Sequence, residues 1–228
     1  VITNALFSTR TMRRGALQNA KSGTAQVLIP VFLFGVLAHP AHAVQQTAPG
    51  FKPFSVTPHR PGSHRFQWLD LHGTHWVQIA HRHGLDPYLL YAVALTESAR
   101  IRNDLAHPWV WALNRGGKSV YPESSAEALE QIRNQIKSGS RNIDIGLMQV
   151  NLRWHRHRVG EIEDLLDPVT NIELGAQILQ ESIATAPGDL LLGVGRYHAW
   201  SNSSEARKYG DRVLRLADRL RSIAKRGG

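Results

Sequence analysis

The sequence predicts a mainly α domain with a minor β element, and three observations predict it. Apolar residues recur at helical spacing along most of the chain beyond residue 66, those stretches open on capping residues or close on glycine, and only one short region reads as paired strands. With 228 residues, 42% of them hydrophobic, the chain is long enough for one domain with a core of its own. No internal repeat is visible.

Residues 1–24 hold Arg10, Arg13, Arg14 and Lys21 and no acid, residues 25–38 are almost without polarity, and Ala41-His42-Ala43 follows. That order predicts a secretory signal peptide over 1–43, cleaved after Ala43. The apolar run falls short of the roughly 20 residues that span a bilayer as a helix, and Pro30 interrupts it. An uncleaved anchor is the alternative, and in both cases the working domain is exported. Residues 44–65 carry Pro49, Pro53, Pro58 and Pro61 with no apolar periodicity, which predicts a flexible leader.

The domain is expected over 66–226. A first helix is expected to start near Phe66, with Trp68, Leu71, Trp76, Ile79 and Ala80 on its stripe, and to close at Gly84. Asp86-Pro87 pairs a cap with a first-turn proline, and Leu90, Val93, Ala94 and Glu97 then share one face. Two short aromatic or branched runs flank Asn114-Arg-Gly-Gly117, predicting a hairpin within 104–122 as the only sheet. Ser124-x-x-Glu127 is a capping box that opens a helix ending at Gly139. Asp167-Pro168 opens a long helix with Val169, Ile172, Ala176, Leu179 and Ile183 on its stripe. Leu190–Ala199 and Ser204–Ala224 add two more, the last with Tyr209, Val213, Leu216, Leu220 and Ile223 on one face.

The formal net charge is +9. Loss of residues 1–43 removes four cations and no acid, leaving 23 Lys and Arg against 18 acids. An excess of that size suits an anionic polymer, and a cell wall rich in peptide carboxylates qualifies as well as nucleic acid does. The chain has no cysteine, which excludes disulfides, thiol catalysis and thiolate metal sites.

Three separated pieces carry chemistry: Ala94-Leu-Thr-Glu97-Ser98, Asp144-Ile-Gly-Leu-Met-Gln-Val-Asn151 and Gly195-Arg-Tyr-His198, with Asn171-Ile-Glu-Leu-Gly175 in the long helix. Together they resemble the transglycosylase SLT family of the lysozyme-like superfamily, over about residues 70 to 200. The most similar branch is that of the small specialised enzymes accompanying conjugation, type IV and type III secretion machines, whose hairpin insert the 109–121 stretch resembles.

The resemblance implies an α+β lysozyme-like fold, no cofactor, and Glu97 as a single catalytic acid and base acting on peptidoglycan glycan strands. It implies that Ser98, Met148, Gln149 and Asn151 line the cleft, and that Tyr197 orients the catalytic carboxyl. Core packing for Met148 and Tyr197, and helix capping for Asn151, are the other roles open to those residue types. His198 departs from the family pattern, which has Asn after that tyrosine and Gly close behind, where Trp200 stands here. The residue types make physical sense of the acid: an apolar stripe and the negative end of the helix dipole both favour a protonated Glu97, which can donate to a glycosidic oxygen. A hydrolysing lysozyme would need a second carboxylate, for which Asp144 and Asp104 are the candidates. The expected setting is the periplasm of a Gram-negative bacterium, as a monomer with no stable membrane span after cleavage and with secretion or conjugation subunits as further partners.

His81-Arg-His83 and Trp154-His-Arg-His-Arg158 invite a metal, but their arginines and the lack of an acidic partner at ligand spacing argue for solvated basic faces instead. The basic C-terminal helix, with Arg212, Arg215, Arg219, Arg221, Lys225 and Arg226, suggests a scaffold or nucleic-acid binder as the other class of function. Asp211 and Asp218 interrupt that run, no nucleic-acid motif accompanies it, and export removes the usual partner, so no nucleic acid is expected.

Overall fold

The structure, a computed structural model, describes residues 70–102 and 105–226. The expected signal peptide, the leader and residues 66–69 lie outside the described residues, as does Asp104. Helix α1 runs His75–Arg82, later than the expected start at Phe66. Gly73, at φ 69°, turns the chain just before it, and the Thr74 hydroxyl donates to the Leu71 carbonyl at 2.6 Å. Leu71 is therefore buried without being helical.

Helix α2, Pro87–Ser98, begins as the sequence requires, with the Asp86 carboxylate accepting from the Leu89 amide at 2.8 Å. Leu89 through Ala94 are all buried. A helix apolar on every side belongs in the middle of a core, and the exit of α2 toward the surface delivers Glu97.

Directly after α2, β1 (Ala99–Arg102) pairs antiparallel with β2 (Leu105–Pro108), which contradicts the expectation of a single sheet. Arginines in β1 mask the strand in the sequence. They are accommodated because Arg100 and Arg102 both lie over the Trp109 ring, 4.4 and 5.1 Å from its centroid, and Glu123 takes an ion pair from Arg100 at 2.6 Å.

The expected hairpin forms as β3 (Leu113–Arg115) and β4 (Lys118–Val120). It does not stand alone. Strands β5 (Ile143–Ile145) and β6 (Val150–Asn151) extend it to a four-stranded antiparallel sheet ordered β4-β3-β5-β6. Between β2 and β3 the chain turns, the Ala112 amide donating to the Trp109 carbonyl.

Helix α3 is Ser125–Lys137, capped by the Ser124 hydroxyl on the Glu127 amide at 3.2 Å. The reciprocal arm of the box is shifted by one residue, the Glu127 carboxylate accepting from the Glu123 amide. After β6 come the short α4 (Leu152–His155) and two 3-10 turns. Helix α5 (Pro168–Ala184) is capped by Asp167, α6 (Leu190–Arg196) by Asp189 and α7 (Ser203–Lys225) by Asn202.

Helices α6 and α7 cross at contact distance because glycines line the crossing. A Cβ on Gly195 would lie 1.9 Å from the Ala206 carbonyl oxygen, and one on Gly210 2.0 Å from that of Leu191. Helix α7 also packs along α2, so the end of α6 and one face of α7 both meet Glu97. The architecture is mainly α, an α+β lysozyme-like arrangement of helices around α2 with two small antiparallel sheets. Among the described residues, no helix is long and apolar enough to cross a membrane.

Candidate active site

Glu97 sits in the last turn of α2 with its side chain 14% exposed. Its Oε1 accepts a hydrogen bond from the Tyr209 hydroxyl at 2.6 Å, and His198 Nδ1 lies 3.7 Å from the same oxygen. The imidazole of His198 stacks on the phenol of Tyr209, centroids 4.8 Å apart and planes 1° from parallel. Arg212, one turn further along α7, places its guanidinium 5.3 Å from the Tyr209 ring centroid. Tyr209 is 2% exposed, and burial beside the Glu97 carboxylate pushes its phenol well above the usual range, so it stays a donor.

The loop from Gly146 to Asn151 is joined to the end of α2 through Ser98, and its shape depends on Asn171. The Asn171 side chain, 1% exposed, accepts from the Met148 amide at 2.8 Å and donates to the carbonyls of Ile145 and Leu165, both at 2.9 Å. Gly146, at φ 80°, leaves room for it, since a Cβ there would lie 2.3 Å from Asn171 Nδ2.

The four residues expected along the cleft, and the tyrosine expected at the carboxyl, bond largely to one another's surroundings. Ser98 is fully buried, its hydroxyl 2.7 Å from the Leu147 carbonyl oxygen and 3.0 Å from that of Ala94, so it ties the end of α2 to the loop. Met148 is also fully buried, packed where a Cβ on Gly175 would stand 2.5 Å away. Neither gives side-chain surface to a cleft, which corrects that expectation for both: the polar groups of the α2 end and of the loop backbone satisfy each other inside the domain.

Gln149 adopts φ 48° and folds its amide back onto the carbonyls of Ala112 and Gly146 at 3.0 and 2.9 Å. Asn151 caps α4 through the Arg153 amide and donates to Asp144 Oδ1 at 2.7 Å and to Asn142. Tyr197 donates to the Met148 carbonyl at 2.7 Å. Its hydroxyl therefore pins the loop, and the tyrosine that holds the Glu97 carboxyl is Tyr209.

Asp144, in the middle of β5, shares this electrostatic environment. Burial pushes its carboxyl up to about 6, the nearby Glu97 charge adding to the effect and the Asn151 amide opposing it. The folded state therefore holds this proton more tightly than the unfolded chain does, and stability falls as pH rises between about 4 and about 6. Asp144→Asn is expected to stabilise the fold at pH 7 by about 2 kcal/mol and to flatten that dependence. Urea unfolding at pH 4 and 7 measures both, and a variant no more stable than wild type at pH 7 would contradict the assignment.

Of the two histidine segments, the first is paired through Arg82 and His83 and the second through Arg158, while His155 Nδ1 is buried without a hydrogen-bond partner. Glu173, brought from α5, takes Arg82 at 2.5 Å and lies 2.7 Å from His83 Nε2, and Arg158 donates to Glu181 through Nη1 and Nη2, both at 2.8 Å. Among the described residues no group of three His, Asp or Glu side chains is placed to hold a metal ion. On α7, Asp211 pairs with Arg215, and Asp218 and Asp86 take Arg221.

The Glu97 carboxyl thus stands at the end of buried α2, beside the 146–151 loop that Ser98 ties to that end and beside the crossing of α6 and α7, in an α+β lysozyme-like fold. Residues 122–212 match the family model of the Transglycosylase SLT domain, a family of lytic transglycosylases acting on peptidoglycan. The matched stretch takes in Asp144, the 146–151 loop, Asn171, Tyr197, His198, Tyr209 and Arg212, and Glu97 precedes it. No curated protein and no solved structure matches the chain.

Proposed function

We propose that this protein is a lytic transglycosylase that cleaves the β-1,4 bond between N-acetylmuramic acid and N-acetylglucosamine, with Glu97 as acid and then base. The observation that carries the reading is the fixed, nearly buried Glu97 carboxyl, held at Oε1 by Tyr209 and facing the segment similar to the SLT domain. Protonated Glu97 gives its proton to the glycosidic oxygen as the C1–O bond breaks, and the 2-acetamido group of the substrate supports the positive charge at C1. The Glu97 carboxylate then takes the proton from the muramoyl 6-hydroxyl while the O6–C1 bond closes. The product ends in 1,6-anhydromuramic acid, no water is consumed, and Glu97 regains its proton. Trp200, 61% exposed and two residues from His198, offers an aromatic face for a sugar ring.

The biological setting in this reading is local opening of the periplasmic wall for a conjugation or secretion apparatus. A second reading, a hydrolytic muramidase, draws on a second largely enclosed carboxyl, Asp144, which accepts from Asn151 at 2.7 Å and whose burial pushes it up to about 6. Incubation of purified sacculi with the protein tests the first reading. Soluble muropeptides with anhydro ends support it, hydrated reducing ends favour the muramidase, and sacculus binding without release at any pH favours a non-catalytic scaffold.

Tyr209→Phe keeps the ring stacked on His198 and removes the hydrogen bond to Glu97. The bond to a charged group is worth about 1.5–2 kcal/mol, which corresponds to an expected loss of roughly 10- to 30-fold in kcat with KM little changed. Steady-state kinetics on soluble glycan fragments measure it, and a change confined to KM would show that Tyr209 binds substrate instead.

A further inference from the structure

Three features outside the proposed reaction stand out: the arginine face of α7, the exposed Ile101 on β1, and the imidazole that faces the catalytic carboxyl. The third touches the carboxyl on which the proposed reaction turns. His198 Nδ1 and the Tyr209 hydroxyl converge on one oxygen, Glu97 Oε1, at 3.7 and 2.6 Å. The parallel stack on Tyr209 holds the imidazole plane in that orientation. With 54% of its side chain exposed against 14% for Glu97, His198 lies on the solvent side of the carboxyl. An Nδ1 to Oε1 separation of 3.7 Å is longer than a hydrogen bond, and catalytic contacts of this kind commonly tighten when substrate binds.

We propose that His198 is a positioning residue that shares one proton with Glu97, so that the carboxyl–imidazole pair, and not Glu97 alone, is the acid of the reaction. This rests on the reading of Glu97 as catalytic acid given above. In the resting pair the proton sits on Nδ1 beside the carboxylate. It crosses to Glu97 as the Nδ1–H bond breaks and an O–H bond forms, leaving a neutral imidazole, and Glu97 then passes it to the glycosidic oxygen. When Glu97 takes the proton of the substrate 6-hydroxyl, the pair again holds one proton, and the cycle balances.

The surroundings of His198 fit this role. Glu97 on α2 raises its pKa above the ordinary value against partial desolvation, Asp144 on β5 pulls the same way, and Arg212 on α7 opposes them. Tyr209 on α7 and Tyr197, the preceding residue, both stay protonated, their phenols pushed well above the usual range by burial. A carboxyl–imidazole pair holding one proton gives it up at higher pH than a lone carboxyl does. His198 therefore extends the active range of the acid toward neutral pH.

The experiment is the pH profile of anhydro-product release by wild type, His198→Asn and His198→Gln, with an NMR titration of the His198 ring in wild type and Glu97→Gln. In both His198 variants the alkaline limb is expected to move to lower pH by about one unit, with acid-side activity retained. That shift leaves about a tenfold deficit at pH values above the limb. The imidazole is expected to titrate at lower pH in Glu97→Gln than in wild type. A loss of the same factor at every pH, or a limb that stays or moves upward, overturns the proposal. An unchanged imidazole titration overturns it as well. The NMR arm needs no turnover, so failure of the pair and failure of the transglycosylase reading are separately visible.

Discussion

Glu97→Gln is expected to lower the release of muropeptides from sacculi by about 10³-fold or more, because in the proposed reaction one side chain performs both proton transfers and general acid–base catalysis alone is worth about 10²–10⁴. Glutamine keeps the shape, and its carbonyl oxygen can still accept the Tyr209 hydroxyl. The fold and the affinity for sacculi are therefore expected to survive, which separates a chemical defect from a structural one. The amide can neither donate an acidic proton to the glycosidic oxygen nor take one from the 6-hydroxyl. Residual release within tenfold of wild type would move the acid to Asp144, the other carboxyl of this electrostatic environment, whose pKa of about 6 suits proton donation.

The second large effect concerns stability. Asn171→Ala is expected to destabilise the domain by about 4 kcal/mol, since it orphans the Met148 amide and the carbonyls of Ile145 and Leu165, at about 1–3 kcal/mol for each unsatisfied buried group before relaxation. The space it leaves lies directly over Gly146, which has no side chain to collapse into it. Asn171→Asp is expected to fail as well, because a carboxylate can accept from Met148 but cannot donate to either carbonyl. Urea unfolding with an unchanged m-value measures the loss. A cost below about 1 kcal/mol would mean that water replaces the three bonds, and the loop would then not depend on Asn171.

The longer helices were legible where they carry their own local signals, while the start of α1 and the four-residue α4 were not. Asp86, Ser124, Asp167, Asp189 and Asn202 all cap the helices that follow them, and the first three of these starts are visible as cap-and-proline or capping-box patterns. The sheets were less legible because their strands are two to four residues long and gain their pairing from partners remote in sequence. Periodicity cannot register in Val150-Asn151, and arginines in β1 hide a strand whose charges are answered by Trp109 and Glu123.

Within the site, the position of Glu97 at the end of an apolar stripe was readable from helical spacing alone. Its hydrogen-bond partner was not. Tyr209 lies 112 residues away and sits in an apolar stripe, where it reads as core. The one available signal was its hydroxyl, since a buried tyrosine requires an acceptor. What brings it to Glu97 is the glycine-lined crossing of α6 and α7 and the packing of α7 on α2, neither of which local sequence encodes. Ser98 and Met148 illustrate the converse: residues in a motif next to the chemistry need not touch substrate, because the motif also has to build the wall.

The central claim, that a single carboxyl closes an intramolecular ring on the sugar, is tested most directly by the chemical nature of the released end. Mass spectrometry of muropeptides from sacculi digested by wild type, with Glu97→Gln alongside, reads it in one experiment. Wild type is expected to form products lighter by one water molecule than hydrolysed ones, and the variant is expected to form none. Hydrated reducing ends formed by wild type would contradict it, and would assign the site to a hydrolase in which Asp144 acts with Glu97.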